Sequence, residues 1–130
     1  MTNDNSVNMV VAGSGSGSPR FQHENLAAYA FARAATRFIL SRRSKLRGLP
    51  GEAGPQLERA VVGAQTNLCS GASHFGAEAK RHFRIALSEA NEAGGALDIA
   101  YDCGAFDDAE YAECRRILLR LCSTLGGLAR

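Results

Sequence analysis

The stretch "QLERAVVGAQTNLCSGASHF" (56–75) decides how the chain folds. Its apolar residues recur at steps of four, three and four, which places them along one face of a helix. These residues are Leu57, Val61, Ala64 and Leu68. Pro55 suits the first turn of a helix and Gly71 suits its end, so the pattern predicts a helix between them. Three polar side chains, Gln65, Thr66 and Asn67, interrupt its second half.

Three further segments carry helical periodicity. The first runs from about Asn25, which can cap it, to Leu46; the third spans about Gly76 to Asp102. The fourth begins with the D-x-x-E of Asp107 and Glu110, which can close a capping box, and ends at Gly126–Gly127. No segment alternates with period two, so we expect no strands. Four helices with short connections predict an all-α fold, an antiparallel up-down-up-down four-helix bundle over residues 21–130.

Two regions depart from this regular pattern. "GSGSGSP" (13–19) has the composition of a flexible linker, so residues 1–20 are predicted to form a disordered Gly/Ser-rich tail. Gly94 and Gly95 lie inside the third helix, where each costs about 1 kcal/mol relative to alanine. Either the helix kinks there or a neighbouring backbone comes close. The small residues Ala86, Ala90 and Ala93 favour the close approach.

The charges are unevenly distributed along the chain. It has 15 basic and 13 acidic residues, and the net charge of +2 alone predicts no partner. Residues 20–60 hold eight basic and three acidic side chains, whereas residues 85–114 hold eight acidic and no basic ones. This asymmetry predicts a basic face and an acidic face on one domain.

The cysteines and the apolar runs indicate a cytoplasmic protein. None of the four cysteines forms a C-x-x-C pair, and Cys114 and Cys122 would lie about 12 Å apart along one helix. We interpret them as reduced thiols that act as small core residues. The start of the chain lacks a basic leader, and no stretch approaches the apolar length of a membrane span.

Motifs that carry chemistry are missing from the sequence. A di-iron bundle needs Glu-x-x-His, which does not occur, and Glu78 and His82 are interpreted as a surface pair four residues apart. There is no G-x-S-x-G, no cysteine at a defined spacing from a histidine, and no phosphate-binding loop. We therefore expect no enzymatic activity, no metal and no cofactor.

The segment "RFILSRRSKLR" (37–47) is the strongest binding candidate, with five positive charges in eleven residues. It has three interpretations: salt-sensitive binding of RNA or DNA, contact with the acidic surface of a neighbouring subunit, or a solvated helix end. The nucleic-acid interpretation predicts a basic surface that includes the following residues. They are Arg33, Arg37, Arg42, Arg43, Lys45, Arg47, Arg59, Arg81 and Arg84.

The second and third helices resemble one protein family. It comprises the bacterial four-helix-bundle proteins of intervening sequences in 23S ribosomal RNA genes, and the related accessory variability determinant proteins of diversity-generating retroelements. The residues that match its pattern are Gln56, Leu57, Arg59, Ala60, Val62, Asn67, Gly71, Phe83, Arg84, Ile85, Ala86 and Glu92. The chain departs from the family at Ser70, where the family has glutamate, and at Ser88–Glu89, where it has glycine–serine.

The resemblance implies a homopentamer without enzymatic activity. It also implies that a basic barrel surface binds nucleic acid and a reverse transcriptase, as in the retroelement members. Gln65 and Asn67 would stand where the second helix meets another helix or the next loop. There they would fix the register of the bundle or hold the turn "SGASHF" (70–75), with a ligand contact as the alternative.

The function expected from the sequence is a non-enzymatic oligomeric scaffold that associates with nucleic acid through its basic surface. The alternative is a protein-interaction module or adaptor that binds no nucleic acid.

Overall fold

Four long helices make up most of the chain in the computed structural model, which describes residues 18–130. They are α1 (Ala27–Leu40), α2 (Ala53–Ala72), α3 (Gly76–Asp102) and α4 (Asp108–Ala129). Short 3₁₀ helices occupy Gln22–Asn25, Arg43–Leu46 and Pro50–Glu52. Residues 18–130 contain no strand, so the all-α prediction is confirmed. The predicted disordered tail, residues 1–20, lies outside the described residues except for its last three.

The core forms where each helix packs against two of the others. α2 packs against α1 and α3, and α4 packs against α3 and α1. The seam predicted on α2 lies at the centre of this core, with every member no more than 1% exposed. Those residues are Leu57, Val61, Ala64 and Leu68. Burial of an aliphatic side chain of this size stabilises the fold by about 1.5–3 kcal/mol.

Alanines, rather than the glycine pair, form the small face of α3. Ala86, Ala90 and Ala93 are all buried, as a close helix contact requires. At Gly94 and Gly95, however, an added Cβ would meet no atom within 4 Å, and the helix runs through both without a break. The expected close approach of a neighbouring backbone is therefore wrong for the glycine pair, and the helix does not break there.

Close approach instead occurs where α2 ends. A Cβ on Gly71 would lie 2.6 Å from the ring of Phe83, whose side chain is buried in the core. Gly71 does not end α2, which continues to Ala72. It allows the ring on α3 to lie directly on the backbone of α2.

The first helix is shorter than the sequence predicts, because α1 ends at Leu40 instead of Leu46. Asn25 belongs to the preceding 3₁₀ helix, and Leu26 occupies the N-cap without a side-chain cap. After α1 the chain tightens into 3₁₀ geometry and places Leu46 in the core, 5% exposed. If α1 continued as a straight helix, Leu46 would lie about 9 Å beyond Leu40 along the axis of α1. Burial of Leu46 therefore prevails over local helical propensity.

The start of α4 is as predicted and its end is not. The carboxylate of Asp107 accepts a hydrogen bond from the backbone N–H of Glu110 at 2.7 Å, and Glu110 caps Asp107 in return. The helix continues through Gly126 and Gly127 to Ala129, which is 8% exposed. None of the helices in the described part of the chain is long and apolar enough to cross a membrane.

Candidate nucleic-acid interface

The structure divides the predicted basic surface into two groups of residues. In the first group, each basic side chain is used within the chain itself. Arg42 and Lys45 both contact one oxygen, Oε2 of Glu110, at 2.9 and 2.8 Å. These bonds hold the pKa of Glu110 at about 2, with Lys45 and the capping bond to Asp107 as the largest causes. The guanidinium of Arg42 also lies 3.7 Å from the centre of the Phe38 ring.

The remaining members of this first group make bonds elsewhere. Arg43 donates two hydrogen bonds to Glu58, at 2.8 and 3.0 Å, and thereby lowers the pKa of that carboxyl group. Arg81 pairs with Glu78 at 3.1 Å, and Arg84 donates to the Ala129 carbonyl near the end of α4 at 3.3 Å. These arginines serve contacts inside the molecule.

The ion pairs also correct the expectation of separate basic and acidic faces. Arg42 and Lys45 belong to the basic part of the chain (residues 20–60), whereas Glu110 belongs to the acidic part (residues 85–114). The two segments therefore meet within a single chain at the start of α4. Arg42, Lys45 and Glu110 are therefore paired within one chain and are lost to an electrostatic contact between subunits.

The second group consists of exposed residues that make no such bonds to the rest of residues 18–130. No carboxylate of residues 18–130 lies within 4.0 Å of the guanidinium of Arg33 or Arg37. The two are four residues apart, so they share one face of α1. Arg47 and Arg59 are also exposed. Arg59 lies near enough to Glu89 to lower its pKa, although burial is the larger influence and raises it.

A groove of about 350 Å³ brings Arg33 and Arg37 together with Arg20, which the sequence-based candidate set did not include. Arg20 donates to the backbone carbonyl of Glu24 at 2.6 Å. The carboxylate of Glu24 accepts from the backbone N–H of Phe21 at 2.7 Å. The other residues that line the groove are Leu26, Tyr29, Ala30 and Ala34. Three guanidinium groups and one carboxylate therefore line this groove.

The polar residues of α2 are not buried. Gln65 donates to the Tyr29 hydroxyl at 3.4 Å, a long bond that links α2 to α1 as expected. Asn67 instead donates to the Gly63 carbonyl of its own helix at 2.9 Å. This hydrogen bond neither fixes the register of the bundle nor holds the following turn, the two structural roles expected of Asn67. Its short side chain finds a backbone acceptor one turn back before it reaches another element.

The cysteines differ in their surroundings. Cys114 is fully buried, and this burial raises the pKa of its thiol to about 12. Cys69 and Cys122 are half-buried, and burial likewise raises their pKa. Cys103 is exposed, so it is not the core residue that the sequence analysis expected.

A further cluster joins His74 to Glu78 and His82, the two residues that the sequence predicted to be a surface pair. His74, Glu78 and His82 lie at successive intervals of four residues, and the turn between α2 and α3 brings them together. The spacing was visible in the sequence, but the approach of the His74 side chain to those of Glu78 and His82 was not.

Comparison with known proteins adds no family assignment. No known protein family matches the chain, and no characterised protein matches it significantly.

Proposed function

We propose that this protein is a non-enzymatic oligomeric scaffold that binds nucleic acid, with RNA as the first candidate, through the groove beside α1. One observation carries the proposal: Arg33 and Arg37 share an exposed helix face with no carboxylate of the described residues within ion-pairing distance. Arg20 adds a third guanidinium to the same groove. We also propose that the protein is cytoplasmic.

The proposed architecture is the antiparallel up-down-up-down bundle. Contacts between opposite ends of neighbouring helices support it. Phe83 near the start of α3 meets Gly71 near the end of α2, and Arg84 bonds to Ala129 at the end of α4. Tyr101 near the end of α3 stacks on Tyr111 near the start of α4, with ring centroids 4.2 Å apart. This arrangement leaves the outer face of α1 available to a partner.

The groove suits phosphate groups for a chemical reason. Guanidinium groups present several N–H donors in a plane and bind phosphate oxygens through paired hydrogen bonds. Contacts of this kind carry no base information, so the protein would bind nucleic acid with little sequence preference. Binding releases condensed counterions and therefore weakens as salt concentration rises.

Titration of a structured RNA at low and high salt tests the proposal. Binding at low salt that weakens steeply as salt is added supports it. Failure to bind at low salt contradicts it and leaves the protein-interaction role. Measurement of the solution mass tests the oligomer separately. We expect a mass above that of one chain, with the pentamer implied by the family resemblance as the specific prediction.

The second candidate function is a protein-interaction module without nucleic-acid binding. Exposed apolar side chains favour it, since Phe75 is 91% exposed and Leu119 is 55% exposed. A protein partner would bury such side chains, whereas phosphate groups would not. A reverse transcriptase as that partner rests on the family resemblance and stays a prediction.

A further inference from the structure

We infer that His74, Glu78 and His82 form a binding site for a divalent transition-metal ion such as Zn²⁺. This inference is independent of the proposed nucleic-acid binding. One ring nitrogen of each histidine and one carboxylate oxygen of Glu78 all lie within 4.8 Å of one another. Two imidazoles and a carboxylate are a ligand set that zinc and its neighbours bind in proteins, with a fourth position left for water or another donor.

The two sides of the site are held by different elements. Glu78 and His82 lie one turn apart near the start of α3, and Glu78 Oε2 is 3.2 Å from His82 Nε2. His74 lies in the turn after α2, where its backbone N–H donates to the Gly71 carbonyl at 3.2 Å. Gly71 is in turn packed under Phe83 of α3. This packing holds the turn in place, and the turn directs His74 toward the start of α3.

The hydrogen bond of His74 determines which nitrogen it offers. Its Nδ1 lies 2.6 Å from the Ser70 carbonyl oxygen, and a carbonyl can only accept. Nδ1 therefore carries the proton, and Nε2 has the lone pair that a metal needs. A backbone carbonyl in this position is the usual second-shell partner of a metal-binding histidine, because it orients the ring and fixes the tautomer.

The surroundings of His82 leave one nitrogen for the ion. Nδ1 of His82 is buried and has no hydrogen-bond partner among the described residues. Nε2 faces Glu78, and the two histidine rings stack with centroids 4.9 Å apart. Nε2 is therefore the nitrogen through which His82 would hold the ion.

An ion requires a small contraction of the cluster. Zinc bonds of about 2.0–2.2 Å in tetrahedral geometry place neighbouring ligand atoms about 3.3–3.5 Å apart. His74 and Glu78 are both exposed, so their side chains have room to make this change. Arg81 is the competing cation, since its guanidinium contacts Glu78 Oε2 at 3.1 Å and must turn away when the ion binds. Arg81→Ala is therefore expected to strengthen binding.

Calorimetric titration of the metal-free full chain with Zn²⁺ tests the site. We expect one ion per chain. His74→Ala and His82→Ala should each weaken binding by about 100-fold or more, because loss of a second-shell group alone costs 10–100-fold. His23→Ala is the matched control, since the His23 ring packs against Phe21 and Tyr29 instead. Circular dichroism of each variant checks that the helices remain intact.

Exposed thiols are the main rival ligands. Co²⁺ substitution distinguishes them, because thiolate ligands give an intense near-ultraviolet band that imidazole and carboxylate ligands lack. We expect no such band, and Cys103→Ser should bind as the unaltered protein does. The inference is overturned if no Zn²⁺ binds, if His23→Ala weakens binding as much as His82→Ala, or if the cobalt spectrum shows thiolate.

Discussion

Arg42 and Glu110 join the basic segment "RFILSRRSKLR" (37–47) to the first turn of α4, with Nε and Oε2 2.9 Å apart. Lys45 contacts the same oxygen at 2.8 Å, so one carboxylate balances two cations. This contact ties the 3₁₀ segment after α1 to α4. It also removes Arg42 and Lys45 from the set of residues that are available to a partner.

Glu110→Gln should destabilise the protein by about 0.2–1 kcal/mol, the range for exposed ion pairs. Glutamine retains the capping bond to Asp107, so the loss reports the charge alone. Urea unfolding in low and high salt provides the measurement. An unchanged free energy of unfolding at low salt would show that the contact contributes nothing.

The same pair predicts a dependence of stability on pH. The pKa of Glu110 falls from 4.5 to about 2 in the folded chain. A carboxyl group with a lowered pKa stabilises the fold fully above its unfolded value, and this contribution is lost as pH falls through the folded value. The stability difference between the unaltered protein and Glu110→Gln should therefore be largest above pH 4.5 and shrink toward about pH 2. A difference that grows on acidification contradicts the ion pair.

Replacement of Gly71 and of Gly95 by alanine should change the stability of the protein in opposite directions. Gly71→Ala places a Cβ 2.6 Å from the buried Phe83 ring and should cost about 1–3 kcal/mol. Gly95→Ala adds a methyl group in open space inside α3 and should stabilise by about 0.5–1 kcal/mol. Thermal unfolding of both variants checks the pair. Equal effects would mean that the α2–α3 contact is looser than the structure shows.

Asp107→Ala removes the N-cap of α4, whose carboxylate accepts the Glu110 N–H at 2.7 Å. The expected cost is about 1 kcal/mol, the typical value for loss of an N-cap side chain. Asp107→Asn is the matched control, since asparagine caps nearly as well. If both variants unfold at the same denaturant concentration, below that of the unaltered protein, the negative charge of Asp107 and not its capping hydrogen bond stabilises α4.

Sequence patterns predicted the helices where periodicity and capping agreed. α3 has the predicted bounds, and the Asp107 cap is where the D-x-x-E pattern placed it. The patterns failed where tertiary contacts decide the outcome. The end of α1 depends on burial of Leu46, and the end of α4 on continued packing beyond Gly127. Neither contact leaves a local signal in the sequence.

The candidate site shows the same division. The basic segment was evident, but the sequence could not tell which cations have carboxylate partners. Glu110 is 65 residues from Lys45, and Glu58 is 15 residues from Arg43. Such distant pairs become visible only when the helices are packed. The pairs leave the Arg33–Arg37 face of α1 as the candidate surface.

The direct test of the central claim compares two double variants in RNA binding across a range of salt. Arg33→Gln/Arg37→Gln alters the groove. Arg43→Gln/Arg116→Gln removes the same charge from residues paired with Glu58 and Glu113. Each phosphate contact contributes about 0.7–0.9 to the slope of log affinity against log salt. We predict that the groove variant loses about 1.4–1.8 from this slope and binds more weakly, while the control keeps its slope. Equal losses in the two variants, or no loss in the groove variant, would contradict the account.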